Sequence, residues 1–159
     1  DPLTGLLNRR GLVNAIQGCL AYLQRQRHSA ALFMIDLDHF KQVNDKLGHD
    51  SGDEVLTAVA DVLQHHIRQS DVLARYGGEE FMAVLPECTG EQAVSILDGI
   101  RQQFLSISFA GKLSDFHVSL SAGVASSHEC TADELMEMAD RALYAAKNNG
   151  RNQVRLADD

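Results

Sequence analysis

Two glutamates in the sequence directly follow a pair of glycines. Glu79 and Glu80 come after Gly77 and Gly78, and a short apolar run lies on either side of this group. The pattern predicts a β-hairpin with the glycines at its turn, since Gly-Gly tolerates positive φ at both central positions. A turn without Cβ atoms also lets a phosphate or a sugar approach the backbone closely. On its own, the motif favours such a binding tip no more than a plain solubilising turn.

A second acidic position is predicted at the end of a buried strand. Residues 30–35 form a continuous apolar run, which is typical of a strand buried on both faces, and Asp36 follows directly. A carboxylate in this place is costly to keep charged unless a cation compensates it. Asp38 could simply cap the helix that follows, but this alternative suits Asp36 less well. We therefore interpret Asp36 as a metal ligand.

Basic residues near these acids could bind phosphates. A short helix is predicted at 39–45, where free N–H groups and Lys41 could hold them. Lys147 and Arg151 lie one turn apart at the end of the last predicted helix, although the helix dipole alone could explain them. A fourth basic residue, Arg68, precedes the hairpin and is followed by Asp71. This pair also has a simple explanation as a helix end and a turn.

Composition excludes several classes of protein. The 159 residues, 45% of them hydrophobic, suit one domain with a sizeable core. A net charge of -8 without a basic stripe argues against binding a nucleic acid polymer, but it is compatible with a carboxylate site that needs a divalent cation before it accepts a polyphosphate. Cys19, Cys88 and Cys130 suggest neither disulfides nor a zinc site, which favours a reducing, cytoplasmic compartment.

The sequence contains no membrane span and no signal peptide, so we expect no membrane contact from this fragment. Because it opens at Asp1 without a methionine, we expect it to be a domain excised from a longer protein. The parent protein could therefore be anchored in a membrane through a missing N-terminal region.

The order of predicted elements indicates the fold class. After a first helix come strand, helices, strand, strand, helix and strand, followed by an extra helix and strand. This β-α-β-β-α-β order predicts an α+β, ferredoxin-like sandwich with helices on one side of an antiparallel sheet. Its first strand neighbours the central hairpin, so Asp36, Glu79 and Glu80 are expected to converge on one spot.

Two further patterns predict local features of this fold. Capping-box spacings place helix starts at Ser51 with Glu54, at Thr89 with Gln92 and at Thr131 with Glu134. The predicted strand at 117–125 alternates apolar with small residues, as if a helix lay closely over it, and we interpret this strand as structural.

The chain resembles a GGDEF domain, the diguanylate cyclase family, in its Gly-Gly-Glu-Glu-Phe form. Motifs that carry this resemblance run in order along essentially the whole chain, at 1–10, 35–45, 48–53, the hairpin and 142–152. The resemblance implies a single domain at 1–159 with a palm fold related to nucleotidyl cyclases. It also implies that two GTP are joined into cyclic di-GMP with release of two pyrophosphates, each subunit of a homodimer holding one GTP.

The resemblance assigns the metal and the chemical step to a few residues. Asp36, the carbonyl of Leu37 and Glu79 would be ligands of Mg²⁺, or of Mn²⁺ in its place, with Glu80 nearby. These are the hard oxygens that Mg²⁺ prefers. Glu79 is also the family's candidate for accepting the 3′-hydroxyl proton, and Lys41 would stabilise charge on the phosphates.

Substrate contacts follow from the same resemblance. Asn44 and Asp53 match the positions that recognise guanine. A carboxylate can accept hydrogens from guanine N1–H and from its exocyclic amine, so Asp53 favours GTP over ATP. His49 would neighbour the nucleoside. The remaining contacts are assigned to Phe40, Arg75, Gly77, Gly78, Lys147 and Arg151, the last two on the terminal phosphates.

Arg68 and Asp71 match the family's inhibitory product site, with five residues between Asp71 and Gly77. There the arginine binds the guanine edge or a phosphate of cyclic di-GMP, and the aspartate orients it. Two other functions stay open: a degenerate domain that only binds cyclic di-GMP, and a palm-fold nucleotidyl cyclase with another product. The presence of Asp36, Glu79 and Glu80 argues against the first, and the guanine-type residues argue against the second.

Overall fold

The fold is built on a central β-sheet with helices on both of its faces. The computed structural model describes residues 1–127 and 129–158. Within them the elements are, in chain order, α1 (Arg9–Arg25), β1 (Ala30–Leu37), α2 (Phe40–Leu47), α3 (His49–His66), β2 (Val72–Arg75), β3 (Glu80–Pro86), α4 (Gly90–Leu105), a short 3-10 turn (Gly111–Leu113), β4 (Leu120–Ser127), α5 (Ala132–Asn148) and β5 (Val154–Leu156).

Strand β1 lies at the centre of the sheet, whose order is β2-β3-β1-β4-β5. It pairs antiparallel with β3 on one side and with β4 on the other, while β5 adds a parallel edge to β4. This arrangement confirms the predicted ferredoxin-like topology with an extra helix before it and an extra helix and strand after it. The first strand and the hairpin are neighbours, as expected.

The expectation of helices on one side of the sheet is wrong. Ala31, Phe33 and Ile35 of β1 belong to one apolar cluster, which α3 and α4 complete. The alternate residues of β1 belong to a second cluster with α1 and α5. Because residues 30–35 of β1 are all apolar, both faces of the strand need cover, and the two extra helices cover the second face.

Helix α5 packs unusually closely on β4. A Cβ atom at Gly123 would overlap the carbonyl oxygen of Ala139 and the amide nitrogen of Leu143, so the helix backbone rests almost directly on the strand. The prediction of a helix over small residues is confirmed. This contact fixes α5, whose last turn carries Lys147.

Two of the three predicted helix caps are confirmed. Thr89 with Gln92 and Thr131 with Glu134 form complete capping boxes. The third is wrong, because α3 begins at His49, directly after Gly48 with a φ of 91°. Ser51 therefore falls inside the first turn, where its hydroxyl donates to the Leu47 carbonyl at 3.3 Å. In the described part of the chain, no helix has both the length and the hydropathy to cross a bilayer.

Candidate active site

The loop between β2 and β3 carries the first acid of the site. It spans residues 76–79, and the amides of Tyr76 and Gly77 donate to the Glu80 carbonyl at 2.8 and 3.3 Å. The predicted hairpin with the glycines at its turn is confirmed, but neither Gly77 nor Gly78 uses the positive φ that glycine tolerates. A Cβ at Gly77 would meet the flexible end of the Glu80 side chain, so the carboxylate would have to move aside.

The register of the sheet brings Asp36 and Glu79 to one cavity. Asp36 lies opposite Glu80 of β3, and the Leu37 amide donates to the Glu79 carbonyl at 3.2 Å. An open cavity of about 200 Å³ lies at this point. Its lining consists of Asp36, Leu37, Asp38, His39, Phe40, Lys41, Glu79, Lys147 and Arg151. Most of the predicted catalytic, metal and phosphate residues thus share one cavity.

Charge in this cavity is partly balanced by one lysine. The Lys147 Nζ donates to Asp36 Oδ2 at 2.6 Å, and Asp36 is only 8% exposed. The pKa of Glu79 is raised, mainly by burial and then by the negative charges of Asp36 and Glu80, which outweigh the opposing effect of Lys147. Glu79 is therefore a stronger proton acceptor than an ordinary surface glutamate.

Glu80 does not line the cavity, since its carboxylate lies beside Gly77. Asp36, Glu79 and Glu80 are thus close neighbours, as expected, but only the first two of them line the cavity. Among residues 1–127 and 129–158, no group of three or more His, Cys, Asp or Glu side chains is arranged to hold a metal ion. Mg²⁺ is commonly held by one or two carboxylates together with substrate phosphates, so Asp36 and Glu79 fit such a cation.

Asp38 does not cap α2, contrary to the alternative raised for it from the sequence. His39 precedes the helix with a φ of 56°, and no side chain caps its first turn. Asp38 is 6% exposed and accepts hydrogen bonds from the Ser119 and Ser121 hydroxyls at 2.7 and 2.6 Å. A third bond comes from the Asn152 amide at 3.0 Å. Sequence reasoning missed this group, although serines alternating in an otherwise apolar strand are a usable signal for a buried polar partner.

The residues expected to recognise guanine lie outside this cavity, where α2 meets α3. Gly52 leaves room for the amide group of Asn44 and for the ring of Phe40, because a Cβ there would clash with both. Asp53 follows Gly52 and is exposed, as is His49 at the start of α3. Asn44 and Asp53 are therefore on adjoining helical turns, whereas Phe40 is mostly buried.

Arg75 holds the hairpin loop instead of lining the cavity. Its guanidinium donates to the Gly78 carbonyl through Nη2 at 2.8 Å and through Nε at 3.2 Å. It also pairs with the Asp1 carboxylate at 3.4 Å. Arg75 thus contacts the loop and the N-terminal segment, and its contact with substrate stays a prediction.

Arg68 and Asp71 form a separate site beside a cavity of about 410 Å³. Arg68 Nη2 donates to Asp71 Oδ1 at 3.0 Å and to the Pro86 carbonyl at 2.7 Å. Asp71 also accepts from the Arg68 amide at 2.8 Å, and its hydrogen bond raises the pKa of Arg68. The arginine side chain is 56% exposed, but that of the aspartate only 3%. Asp71 therefore orients a guanidinium that solvent can reach.

Fold and site together define an α+β palm domain of the nucleotidyl cyclase type. Residues 1–153 match the family model described as "Diguanylate cyclase, GGDEF domain", and the chain belongs to this family. It is 40% identical over 158 residues to diguanylate cyclase DgcM of Escherichia coli strain K12, covering 99% of this chain and 38% of that protein. The curated relatives it matches first are much longer, since the chain spans 24% and 38% of their lengths.

Two solved structures have the same fold. The GGDEF domain of DgcB from Caulobacter crescentus in complex with c-di-GMP has a TM-score of 0.95 at 32% identity, covering 100% of this chain and 95% of that one. The active GGEEF domain of a diguanylate cyclase from Vibrio cholerae has a TM-score of 0.91 at 37% identity, covering 97% and 99%. Both likenesses extend over nearly the whole chain.

Proposed function

We propose that this chain is a diguanylate cyclase that joins two GTP into cyclic di-GMP and releases two pyrophosphates. One observation carries the proposal: Asp36 and Glu79, from separate segments, line a single cavity with the cations Lys41, Lys147 and Arg151. Paired acids beside several cations suit a reaction in which negative charge develops on phosphate oxygens. Family membership and the names of the relatives support the same activity.

Each of the two bonds forms by the same displacement. The 3′-hydroxyl oxygen of one GTP attacks the α-phosphorus of the other, and the bond from that phosphorus to the bridging oxygen breaks. The bond electrons leave with pyrophosphate, and the hydroxyl proton passes to the Glu79 carboxylate. Burial raises the pKa of Glu79, which makes this carboxylate a better proton acceptor. Exchange of the two GTP roles then closes the ring.

The donor set of the cavity fits a divalent cation. Asp36 is nearly buried, so its charge needs compensation, and Glu79 with the Leu37 carbonyl would complete a set of hard oxygens for Mg²⁺ or Mn²⁺. Glu80 would add negative charge close by. When bound, such a cation supplies positive charge that neutralises the phosphate oxygens.

The remaining residues divide between the two ends of GTP. Lys41 stabilises charge on the phosphates, and Lys147 and Arg151 hold the terminal ones, all three from the lining of the cavity. Asn44 and Asp53 read the guanine at the junction of α2 and α3. The nucleoside lies by His49 and Phe40. Gly77 and Gly78, which have no side chains, let it approach the loop that Arg75 holds.

Two chains are needed for one product molecule. Each chain has one such cavity, and the attacking hydroxyl comes from a second GTP, so a homodimer with facing half-sites performs the reaction. Cyclic di-GMP then inhibits the enzyme by binding at Arg68 and Asp71, beside the larger cavity. The complex of the DgcB domain with c-di-GMP supports binding of this nucleotide by the family.

Incubation with GTP and Mg²⁺, followed by chromatographic separation, tests the proposal. Cyclic di-GMP and pyrophosphate should appear in a ratio of 1:2, with ATP left unchanged in a parallel sample. Unconverted GTP at high chain concentration, together with tight binding of added cyclic di-GMP, would favour the receptor function. Conversion of GTP into a different cyclic nucleotide would favour the other palm-fold cyclases.

A further inference from the structure

We propose that Asp38 is a positioning residue that fixes the turn carrying Arg151 and so sets the end of the site that holds the terminal phosphates. The inference rests on the proposed function, because it concerns the binding of GTP. It assigns a role to a carboxylate that lines the cavity but is fully engaged with other protein groups. Ser119 and Ser121 act with it.

The turn after α5 has a backbone conformation that needs support. Arg151 and Asn152 have φ values of 63° and 47°, so two successive residues with side chains lie in the left-handed region. Such residues persist only where their surroundings hold them. Several contacts do so here: the Arg151 amide donates to the Ala146 carbonyl at 3.0 Å, and Arg101 of α4 donates to Asn152 Oδ1 at 3.0 Å.

Asp38 supplies the contact that ties this turn to the sheet. The Asn152 amide donates to Asp38 Oδ2 at 3.0 Å. Ser119 donates to the same oxygen at 2.7 Å, and Ser121 donates to Oδ1 at 2.6 Å. The Asp38 amide donates in turn to the Ser119 carbonyl at 2.9 Å. Both carboxylate oxygens are therefore occupied, and the group cannot rotate without breaking bonds.

The consequence reaches the cavity through Arg151. The direction of a side chain is set by the φ and ψ of its own residue and by the residues on either side. A released turn would return Arg151 toward the common right-handed region and redirect its guanidinium, which now lines the same cavity as Asp36 and Glu79. Asp38 thus acts on the phosphates through Arg151, and the guanine end of the site does not depend on it.

Binding of two nucleotides separates this role from general stability. We would measure the Kd of 3′-deoxy-GTP, which lacks the attacking hydroxyl and so does not turn over, and the Kd of GMP, which lacks the terminal phosphates. In Asp38→Asn, 3′-deoxy-GTP should bind about tenfold more weakly, the scale of one charge-assisted hydrogen bond, whereas GMP should bind as before. Asp61→Asn, which changes an exposed carboxylate on α3, is the matched control and should change neither Kd.

A double-mutant cycle tests whether the effect passes through Arg151. In an Arg151→Ala background, Asp38→Asn should cause no further loss of 3′-deoxy-GTP binding. Ser119→Ala keeps the carboxylate and removes one of its partners, so it gives a milder form of the same result if Asp38→Asn does not fold.

Three results would overturn the inference. The first is an unchanged Kd for 3′-deoxy-GTP in both Asp38→Asn and Ser119→Ala. The second is a loss of GMP binding as large as the loss of 3′-deoxy-GTP binding. The third is that Asp38→Asn weakens 3′-deoxy-GTP binding in the Arg151→Ala background as much as it does in the wild-type chain. Failure of the wild-type chain itself to bind 3′-deoxy-GTP is a different result, which would overturn the proposed function and this inference with it.

Discussion

The three aspartates and glutamates in the cavity differ because of their surroundings. Asp36 faces Lys147 at 2.6 Å, whereas Asp38 is held by two hydroxyls and an amide. Burial and the neighbouring acids raise the pKa of Glu79. Glu79 therefore combines an elevated proton affinity with a place beside Asp36. We propose from these environments that Asp36 and Glu79 hold the cation, that Glu79 also accepts the proton and that Asp38 positions the turn after α5.

The proposed recognition of guanine also depends on single residues. Replacing Asp53 with Ala should weaken binding of 3′-deoxy-GTP by about 1.5 to 3 kcal/mol, because the acceptor for the guanine N1–H and amine is lost. Binding of pyrophosphate should not change. Asp50→Ala removes another exposed carboxylate from the start of the same helix and is the control. Titration calorimetry would measure each Kd. If 3′-deoxy-GTP binds equally well to Asp53→Ala and to Asp50→Ala, Asp53 does not belong to the guanine site.

At the scale of elements, contact between α5 and β4 determines where the basic end of α5 lies. Gly123→Ala should destabilise the chain by about 2 kcal/mol, because the new Cβ meets helix backbone that cannot yield locally. Gly99 is an exposed position of α4 where a Cβ would have no neighbour within 4 Å, so Gly99→Ala should instead stabilise the chain by about 0.5 to 1 kcal/mol. Urea unfolding would measure both. Equal urea midpoints for Gly123→Ala and the wild type would show that α5 can shift at little cost in stability.

The turn between α3 and β2 carries the proposed product site. Arg68→Ala removes a planar donor and should weaken cyclic di-GMP binding by roughly 1.5 to 3 kcal/mol, while initial catalysis persists because the cavity acids and Lys41 are unchanged. Calorimetric titration and progress curves with GTP would show the two effects. Asp98→Ala is a suitable control, since it removes the carboxylate from another Arg–Asp pair three residues apart, on α4.

If Arg68→Ala changes neither the affinity for cyclic di-GMP nor the late plateau of the progress curve with GTP, Arg68 and Asp71 are only a turn that ties α3 to β3. The contact from Arg68 to the Pro86 carbonyl supports that role in any case. Arg68→Ala thus separates a role of Arg68 in product inhibition from its role in the local structure.

Elements with strong local patterns could be predicted from the sequence. The apolar run of β1, the position of the hairpin and the capping boxes at Thr89 and Thr131 are all in the structure. These features depend on neighbours a few residues away. The position of Asp36 beside the hairpin could also be predicted, because the strand order determines which strands are adjacent.

Features that depend on distant contacts could not be predicted. Asp38 has its serine partners 81 and 83 residues along the chain, so its local resemblance to a helix cap was misleading. Ser51 matched a cap equally well, but α3 begins at His49, two residues earlier. The place of the Glu80 carboxylate depends on the conformation of the loop, which the letters Gly-Gly do not determine.

At the scale of the whole molecule, we expect net charge and dimer formation to control the proposed activity. The net charge of -8 opposes binding of a polyphosphate without a cation, which is why activity should require a divalent metal. The proposed reaction would also need two half-sites, and the sequence has no heptad run that would dimerise it strongly.

Initial specific activity should therefore be weak and should fall on dilution. Light scattering on the same samples would give the oligomeric state, and a fixed-concentration series with varied GTP would control for substrate saturation. Constant specific activity in samples that remain monomeric would refute the requirement for two chains.

The proposed activity depends on Asp36 and Glu79 acting together, so neutral variants of these two residues are its sharpest test. Cyclic di-GMP synthesis at saturating Mg²⁺ would be measured chromatographically for Asp36→Asn, Glu79→Gln and, as the control, the exposed Asp61→Asn. Both cavity variants should lose synthesis completely, because each removes a charge from a cation ligand where the transition state gains negative charge. Asp61→Asn should match the wild type. Substantial synthesis by either cavity variant would contradict the assignment.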